Sequence, residues 1–323
     1  MRRIGLAVIL TLSLLPALAE AQRMPEVGVL VFGTERLSLN GERGMHALRE
    51  ALRGFGWIDG QNITLKPRFA DLNAERLTAL AQELVHEKVD VIVAMGTPPT
   101  AAALRATTSI PIVMSAAADP IASGFSRNLA RPDGNVTGTS LLLTETASKR
   151  LQLLTEVTPR LTRTAVLHSG GPNAPQVDEL RAAAPRLGVK LQDFVYRGFD
   201  ALPAQFAQMR AGRAESLVVV AAHAIDEARA PLAQLALKHR LPTVFTFRQY
   251  VEAGGLMSYG PNLGALHLRA AYYVDRLLRG AKPADLSIEQ ASTFELVINL
   301  KTAKALGLTI SPSVLGRADQ IIE

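Results

Sequence analysis

The sequence contains no cysteine and few aromatic residues. None of its 323 residues is cysteine, and phenylalanine, tryptophan and tyrosine together make up 5%. The absence of thiols excludes disulfides, thiol-based catalysis and a lipid anchor attached through cysteine. The scarcity of aromatic side chains, in a chain that is 48% hydrophobic, predicts a globular protein whose cores consist of alanine, leucine and valine.

Motifs that mark common chemistries are also missing. There is no Gly-x-Gly-x-x-Gly and no Gly-Lys-Ser/Thr loop, so we expect no nucleotide and no other cofactor. The histidines lack a metal-ligand spacing, so no metal site is predicted. Ser169 follows a histidine, but the serine-hydrolase elbow is absent. The formal net charge of +6 is not concentrated in blocks, which favours a solvated surface over a nucleic-acid-binding face.

The first residues have the pattern of an export signal. Arg2 and Arg3 precede the apolar segment Leu6–Ala19, which is short for a membrane span. Ala19-Glu20-Ala21 is a small-x-small cleavage site, so residues 1–21 are predicted to be a signal peptide. The alternative is an anchor that stays attached. Cleavage would release a mature chain into the periplasm with no further membrane insertion.

Strand and helix patterns alternate twice along the remaining chain. This alternation, with short polar loops, is typical of parallel sheets covered by helices on both faces. It predicts an α/β protein of two doubly wound lobes. Asn73 is predicted to be the N-cap of a helix that ends at His86. The predicted strands are 26–32, 62–69, 89–94, 110–114, 135–142, 164–168, 190–196, 216–220, 243–247, 256–259 and 294–299. The segment from Pro312 onward is predicted to be a tail, and 241–262 is predicted to be where the chain passes between lobes.

Ligands of such sheets bind outside the carboxyl ends of the strands, so the candidate residues come from strand-end loops. Gly96 and Thr97 precede a proline-initiated helix, where backbone N–H groups bind carboxylate or phosphate oxygens, or where Thr97 caps the helix. Thr34 follows the first strand in a similar way. Ser140 and Asn173 belong to two further strand-end segments.

Charged and aromatic candidates complete the predicted site. Ser115 is placed to donate to a ligand carboxylate, and Asp119 to pair with a ligand ammonium or to begin a turn before Pro120. Phe247 and Arg248 together suit a planar or carboxylated ligand, with core packing and a surface ion pair as the alternatives. His223 lies at a strand end and is expected to border the crevice.

Several runs of residues resemble a known family. They are RGMHALREALRGFGWIDGQNI, DVIVAMGTPPTAAALRATTSIPIVM, DPIASGF, NVTGTS and the run from Val251 to Ile322. They closely resemble the ABC transporter substrate-binding proteins of the tryptophan-binding-like group. The resemblance covers nearly all of the chain after the export signal.

The resemblance implies a type I periplasmic binding protein fold, with two lobes joined by three crossing segments. The lobes are expected to be 22–139 plus 249–286, and 140–248 plus 287–323. The implied function is delivery of a small molecule, such as an aromatic amino acid or another carboxylate, to an ABC permease and its ATPase by a monomeric receptor. The alternatives are a periplasmic receptor for a sensor or chemoreceptor, and an enzyme on the same frame. A racemase of that kind would use two cysteines.

Overall fold

A computed structural model of the chain describes residues 23–36, 42–171 and 174–323. The predicted signal peptide and the predicted site residue Asn173 lie outside the described residues. Across the described ranges, no helix combines the length and the apolar character needed to cross a membrane.

Strands and helices alternate as the hydrophobic patterns predict. The strands are β1 (Glu26–Val31), β2 (Thr64–Phe69), β3 (Val91–Met95), β4 (Ile112–Ala117), β5 (Val136–Ser140), β6 (Arg163–His168), β7 (Lys190–Val195), β8 (Ser216–Val219), β9 (Thr243–Phe245), β10 (Met257–Pro261), β11 (Glu289–Gln290), β12 (Phe294–Asn299) and β13 (Gln320–Ile322). The helices are α1 (Glu42–Gly54), α2 (Ala74–His86), α3 (Thr97–Ala106), α4 (Ala147–Val157), α5 (Ala174–Ala183), α6 (Leu202–Ala211), α7 (His223–Glu227), α8 (Arg229–Lys238), α9 (Arg248–Glu252), α10 (Leu263–Leu278), α11 (Leu300–Leu306) and α12 (Pro312–Leu315).

The first sheet has the order β2-β1-β3-β4-β5-β11, and every neighbouring pair is parallel. Helices α1 and α10 cover one face and α2 and α3 cover the other. Because both faces are covered, β3 is an uninterrupted apolar strand, VIVAM, with every residue buried.

The second sheet has the order β7-β6-β8-β9-β10-β12-β13. Strands β6 to β10 pair in parallel, whereas β12 runs antiparallel to β10 and parallel to β13. Helices α6, α7 and α8 cover one face, and α4, α5, α11 and α12 cover the other. The two α/β lobes thus repeat one architecture, as predicted.

The chain passes between the sheets three times in the described residues: after Ser140, at Asn262 and after Gln290. We therefore define the first lobe as 23–36, 42–140 and 262–290, and the second lobe as 141–171, 174–261 and 291–323. The prediction placed Ser140 in the second lobe, whereas Ser140 is the last residue of β5 and pairs with Ala117 of β4 in the first sheet. The prediction that 249–286 belongs to the first lobe misplaces β10, which pairs with β9 and β12.

The segment that suggested a lobe boundary is a short helix of the second lobe. Arg248 begins α9, and Tyr250 of that helix is fully buried and stacks on Phe245 with ring centroids 4.6 Å apart. This packing holds the chain in the second lobe until β10 is complete. The third crossing follows the predicted one because β11 extends the first sheet by pairing with β5.

Candidate functional site

Both sheets have their topological switch point at the same place in the strand order. The first lobe reads β2-β1-β3 and the second β7-β6-β8, so the chain leaves in opposite directions after β1 and β3, and after β6 and β8. Such points open a crevice at the carboxyl ends of the strands. The two crevices face each other across a cavity of about 550 Å³. Its lining residues from these four loops are Phe32, Gly96, Thr97, Ser169, Gly171, Ala221, Ala222 and His223.

Gly96 and Thr97 form the wall after β3. Gly96 has a φ of +100°, which a residue with a side chain adopts only with strain, and its N–H donates to the carbonyl of Ser115 at 2.9 Å. That hydrogen bond joins Gly96 to β4 of the same lobe. The Thr97 hydroxyl accepts the N–H of Ala118 at 2.9 Å, so it joins the loops after β3 and β4.

Asp119 lines the cavity in the loop after β4. Its Oδ1 accepts the N–H groups of Ile121 and Ala122, each at 3.0 Å. This is the turn-forming role that the following Pro120 indicated. The side chain therefore both orders the loop and presents a half-buried carboxylate to the cavity.

His223 joins the two lobes. It begins α7 in the second lobe, and its ring is hydrogen-bonded to the carbonyl of Met95 in the first lobe. The ring also packs edge-on against Phe32, with centroids 5.6 Å apart. Burial lowers the pKa of His223 to about 4, so the imidazole is neutral at pH 7.

The neighbouring candidates Phe247 and Arg248 differ in their position relative to the cavity. Phe247 is buried and lines the cavity. Arg248 does not line it, because as the first residue of α9 it extends along the helix to Glu252 at 2.9 Å and to Glu295 at 3.3 Å. The surface ion pair is thus the interpretation that the geometry supports for Arg248.

Thr34, Ser115 and Ser140 also do not line the inter-lobe cavity. The Thr34 N–H donates to Glu227 Oε1 at 2.7 Å across the lobe interface. Ser115 is fully buried, with its hydroxyl 2.7 Å from Nδ1 of His267 on α10, the helix that covers one face of the first sheet. Ser140 lines a separate cavity of about 170 Å³ beside the first crossing.

A carboxylate that the sequence did not single out lines the cavity. Asp226 accepts a hydrogen bond of 2.6 Å from the Tyr250 hydroxyl, and desolvation raises the pKa of Asp226 to about 7. Asp226 lies in the first turn of α7, where an acidic side chain complements the helix dipole. Tyr250 lies on a different helix, α9, so only the tertiary fold brings its hydroxyl to Asp226.

Other lining residues also escaped prediction. Phe125 and Gln176 face the cavity from segments without a strand-end signal. Alanines occupy much of the remaining wall, at positions 101, 116, 118, 122, 221, 222 and 224. Within the described residues, no group of three or more His, Asp or Glu side chains could hold a metal ion. The cavity is therefore a mainly apolar site with a few polar groups, which is typical of small-molecule binding.

Two doubly wound lobes, joined by three crossings and enclosing a cavity between their switch points, define a type I periplasmic binding protein. The chain belongs to the ABC transporter substrate binding protein family, whose sequence profile matches residues 27–322. This confirms the family and fold that the sequence runs indicated.

Individual relatives agree with this assignment. The tyrosine-binding protein of Clostridioides difficile is 28% identical over 263 residues, covering 80% of this chain and 75% of that protein. A conserved domain protein from Vibrio cholerae superposes with a TM-score of 0.85 at 26% identity, covering 93% of this chain and 100% of the other. An ABC domain from Streptococcus pneumonia in complex with L-Trp superposes with a TM-score of 0.84 at 26% identity, covering 92% and 99%.

Proposed function

We propose that this protein is the receptor of an ABC importer for an aromatic amino acid, which it binds in the inter-lobe cavity. The observation that carries the proposal is the composition of the cavity wall. Three phenylalanine rings, Phe32, Phe125 and Phe247, line it together with the carboxylates of Asp119 and Asp226. Aromatic rings suit a planar side chain, and a carboxylate suits an ammonium group. Relatives named for tyrosine and solved with L-Trp support the same ligand class.

Binding would act by holding the lobes together. A ligand between the lobes touches both only when they are closed, so its affinity for the closed state exceeds that for the open state. A difference of about 5.5 kcal/mol moves a two-state equilibrium from 1:99 to 99:1. The crossings at Ser140, Asn262 and Gln290 would act as the hinge about which the two lobes rotate during closure. No bond of the ligand is made or broken.

The closed protein would then dock on a permease and its ATPase outside the cytoplasmic membrane. We propose a periplasmic location after cleavage near Ala21, with a monomeric receptor. The sequence pattern of residues 1–21 and the family support this location. Nucleic acid plays no part in the proposed function.

The test is a thermal-shift titration of the purified mature chain against L-tryptophan, L-tyrosine, L-phenylalanine, L-leucine, L-lysine and L-glutamate. A ligand that binds only the folded state stabilises it by about 2.7 kcal/mol at about 100 times its Kd. We expect an aromatic amino acid to raise the Tm progressively with concentration, and the other three to have little effect.

A pair of matched variants links the effect to the cavity. Phe247→Leu keeps an apolar side chain of similar volume but removes a ring from the wall, so it should reduce the shift. Phe199→Leu makes the same change at a side chain that is 60% exposed and lies off the cavity, so it should leave the shift intact. A shift that only non-aromatic amino acids produce would refute the proposed ligand class.

A further inference from the structure

The second lobe contains a fully buried cation beside the cavity. Arg150 of α4 is 0% exposed, yet it forms no ion pair with any acidic side chain in the described residues. A buried charge is costly unless it is paired or fully hydrogen-bonded. Burial lowers the pKa of Arg150 to about 10, which still leaves it charged at neutral pH.

The partners of Arg150 are all neutral oxygens. Nη1 donates to the Thr146 hydroxyl at 3.0 Å, and Nη2 donates to the Leu143 carbonyl at 3.3 Å and to Gln176 Oε1 at 3.1 Å. Nη1 also lies 3.5 Å from the Tyr259 carbonyl, at the limit of a hydrogen bond. Nε is buried and has no partner in the described residues.

The bond to Gln176 fixes the direction of that amide. A guanidinium has donors only, so Gln176 must turn its oxygen towards Arg150. The Gln176 nitrogen, with its two N–H donors, then points away from Arg150. Gln176 is 3% exposed and lines the inter-lobe cavity, and within the described residues its side chain is bonded to Arg150 alone.

We propose that Gln176 binds the carboxylate of the ligand, and that Arg150 positions Gln176 and supplies the positive charge behind it. This inference rests on the proposed amino acid ligand and assigns the acidic end of that ligand to the second lobe. The carboxylate accepts from the Gln176 N–H₂ group, and its negative charge compensates the buried guanidinium. Gln176 is the third residue of α5, where the helix dipole adds further positive potential.

The proposal predicts an inversion of specificity in the variant Gln176→Glu. A glutamate at this position pairs with Arg150 and presents a carboxylate oxygen to the cavity. It repels L-tryptophan but accepts from the N–H₂ of L-tryptophanamide, which differs only in its neutral amide. By isothermal titration calorimetry, wild type should bind L-tryptophan more tightly than L-tryptophanamide. Q176E should bind L-tryptophan about tenfold to a hundredfold more weakly than wild type and favour the amide.

Two further variants make the test specific. Gln152→Glu introduces the same change on α4, where Gln152 bonds to Lys149 and Glu156 outside the cavity. It should keep the wild-type preference. Gln176→Leu removes the N–H donor without adding a charge. It should therefore reduce the preference for L-tryptophan over L-tryptophanamide without inverting it. An unchanged ratio of the two Kd values in Q176E would overturn the assignment.

A measurement without ligand separates this inference from the proposed ligand class. Because Q176E places a carboxylate next to an uncompensated Arg150, it should melt at a higher temperature than Q176L. Equal or lower melting of Q176E would overturn the role of Arg150, whatever the ligand is. Failure of the wild type to bind any aromatic amino acid, with Q176E still melting above Q176L, would reject the ligand class and leave the buried cation confirmed.

Discussion

At the scale of the single residue, the cavity wall holds a carboxyl group whose charge is suppressed by burial. Desolvation raises the pKa of Asp226 to about 7, and the hydrogen bond from Tyr250 opposes this rise. In the unfolded chain the same carboxyl ionises near pH 4. Between about pH 4 and about pH 7 the folded state therefore binds more protons than the unfolded state, and the contribution of Asp226 to stability falls as the pH rises.

The variant Asp226→Asn should remove this dependence. Asparagine keeps an oxygen that accepts from Tyr250 but cannot ionise. In the ligand-free protein we expect wild type and D226N to have similar Tm values near pH 4. The variant should gain progressively on wild type towards pH 8, as measured by differential scanning calorimetry. A difference in Tm that stays constant over this range would show that Asp226 ionises normally.

Some residue roles can be predicted from the neighbouring sequence, whereas others depend on residues that are distant in the chain. Asn73 was predicted as an N-cap, and its side chain accepts the N–H of Arg76 at 2.9 Å, because capping depends only on residues nearby in the chain. The roles of Asp226 and Gln176 depend on Tyr250 and Arg150, which approach from other helices. The sequence provides no spacing from which those pairs could be predicted.

At the scale of the element, the contribution of a helix cap to the free energy of unfolding can be measured by removing the capping side chain. Asn73→Ala removes the acceptor for the N–H of Arg76 at the start of α2. The change should reduce the free energy of unfolding by about 1 kcal/mol, measured by urea denaturation. Asn73→Asp retains a capping oxygen and should stay close to wild type. If N73D lost as much stability as N73A, the cap would not be the cause.

Strand β5 depends on a close approach that only glycine permits. A Cβ at Gly138 would lie 2.1 Å from the carbonyl oxygen of Met114 in β4, and the φ of Gly138 is +129°. The register of the two strands shifts between Met114 and Ala117, so β5 lies against an irregular part of β4. Gly138→Ala should therefore cost about 3–5 kcal/mol of unfolding free energy.

Gly134→Ala is the control for this prediction. Gly134 also has a positive φ, +87°, but a Cβ there meets nothing within 4 Å. The variant Gly134→Ala should therefore lose only about 1–2 kcal/mol of unfolding free energy, from backbone strain. Equal losses in the two variants would mean that strain, and not the contact with Met114, limits position 138.

Hydrophobic pattern predicted the central elements well and the peripheral ones poorly. Residues 294–299 were predicted as a strand and form β12 with the same bounds. β11 has two residues and β13 has three, too few for a pattern to register. The predicted tail contains α12 and β13, and β13 forms because residues 320–322 pair with the open edge of β12. Such edge pairing is decided by the completed sheet.

At the scale of the whole molecule, the described lobes meet through contacts beside the cavity. The Thr34 N–H bonds to Glu227, and His223 reaches the Met95 carbonyl while packing on Phe32. These contacts belong to the arrangement in which the cavity is enclosed. They add to whatever the ligand contributes to closure, because each is made only when the lobes are together.

Glu227 offers a way to weaken closure without altering the cavity wall, which it does not line. Glu227→Ala removes a charged acceptor worth about 1.5–3 kcal/mol, so the affinity for ligand should fall about tenfold or more. Glu227→Gln keeps a neutral oxygen for the Thr34 N–H and should lose less. Calorimetric titration measures both affinities, and small-angle X-ray scattering should show that ligand compacts all three proteins. If E227A bound as tightly as wild type, or if ligand left the radius of gyration of the wild type unchanged, closure would not be coupled to binding through this interface.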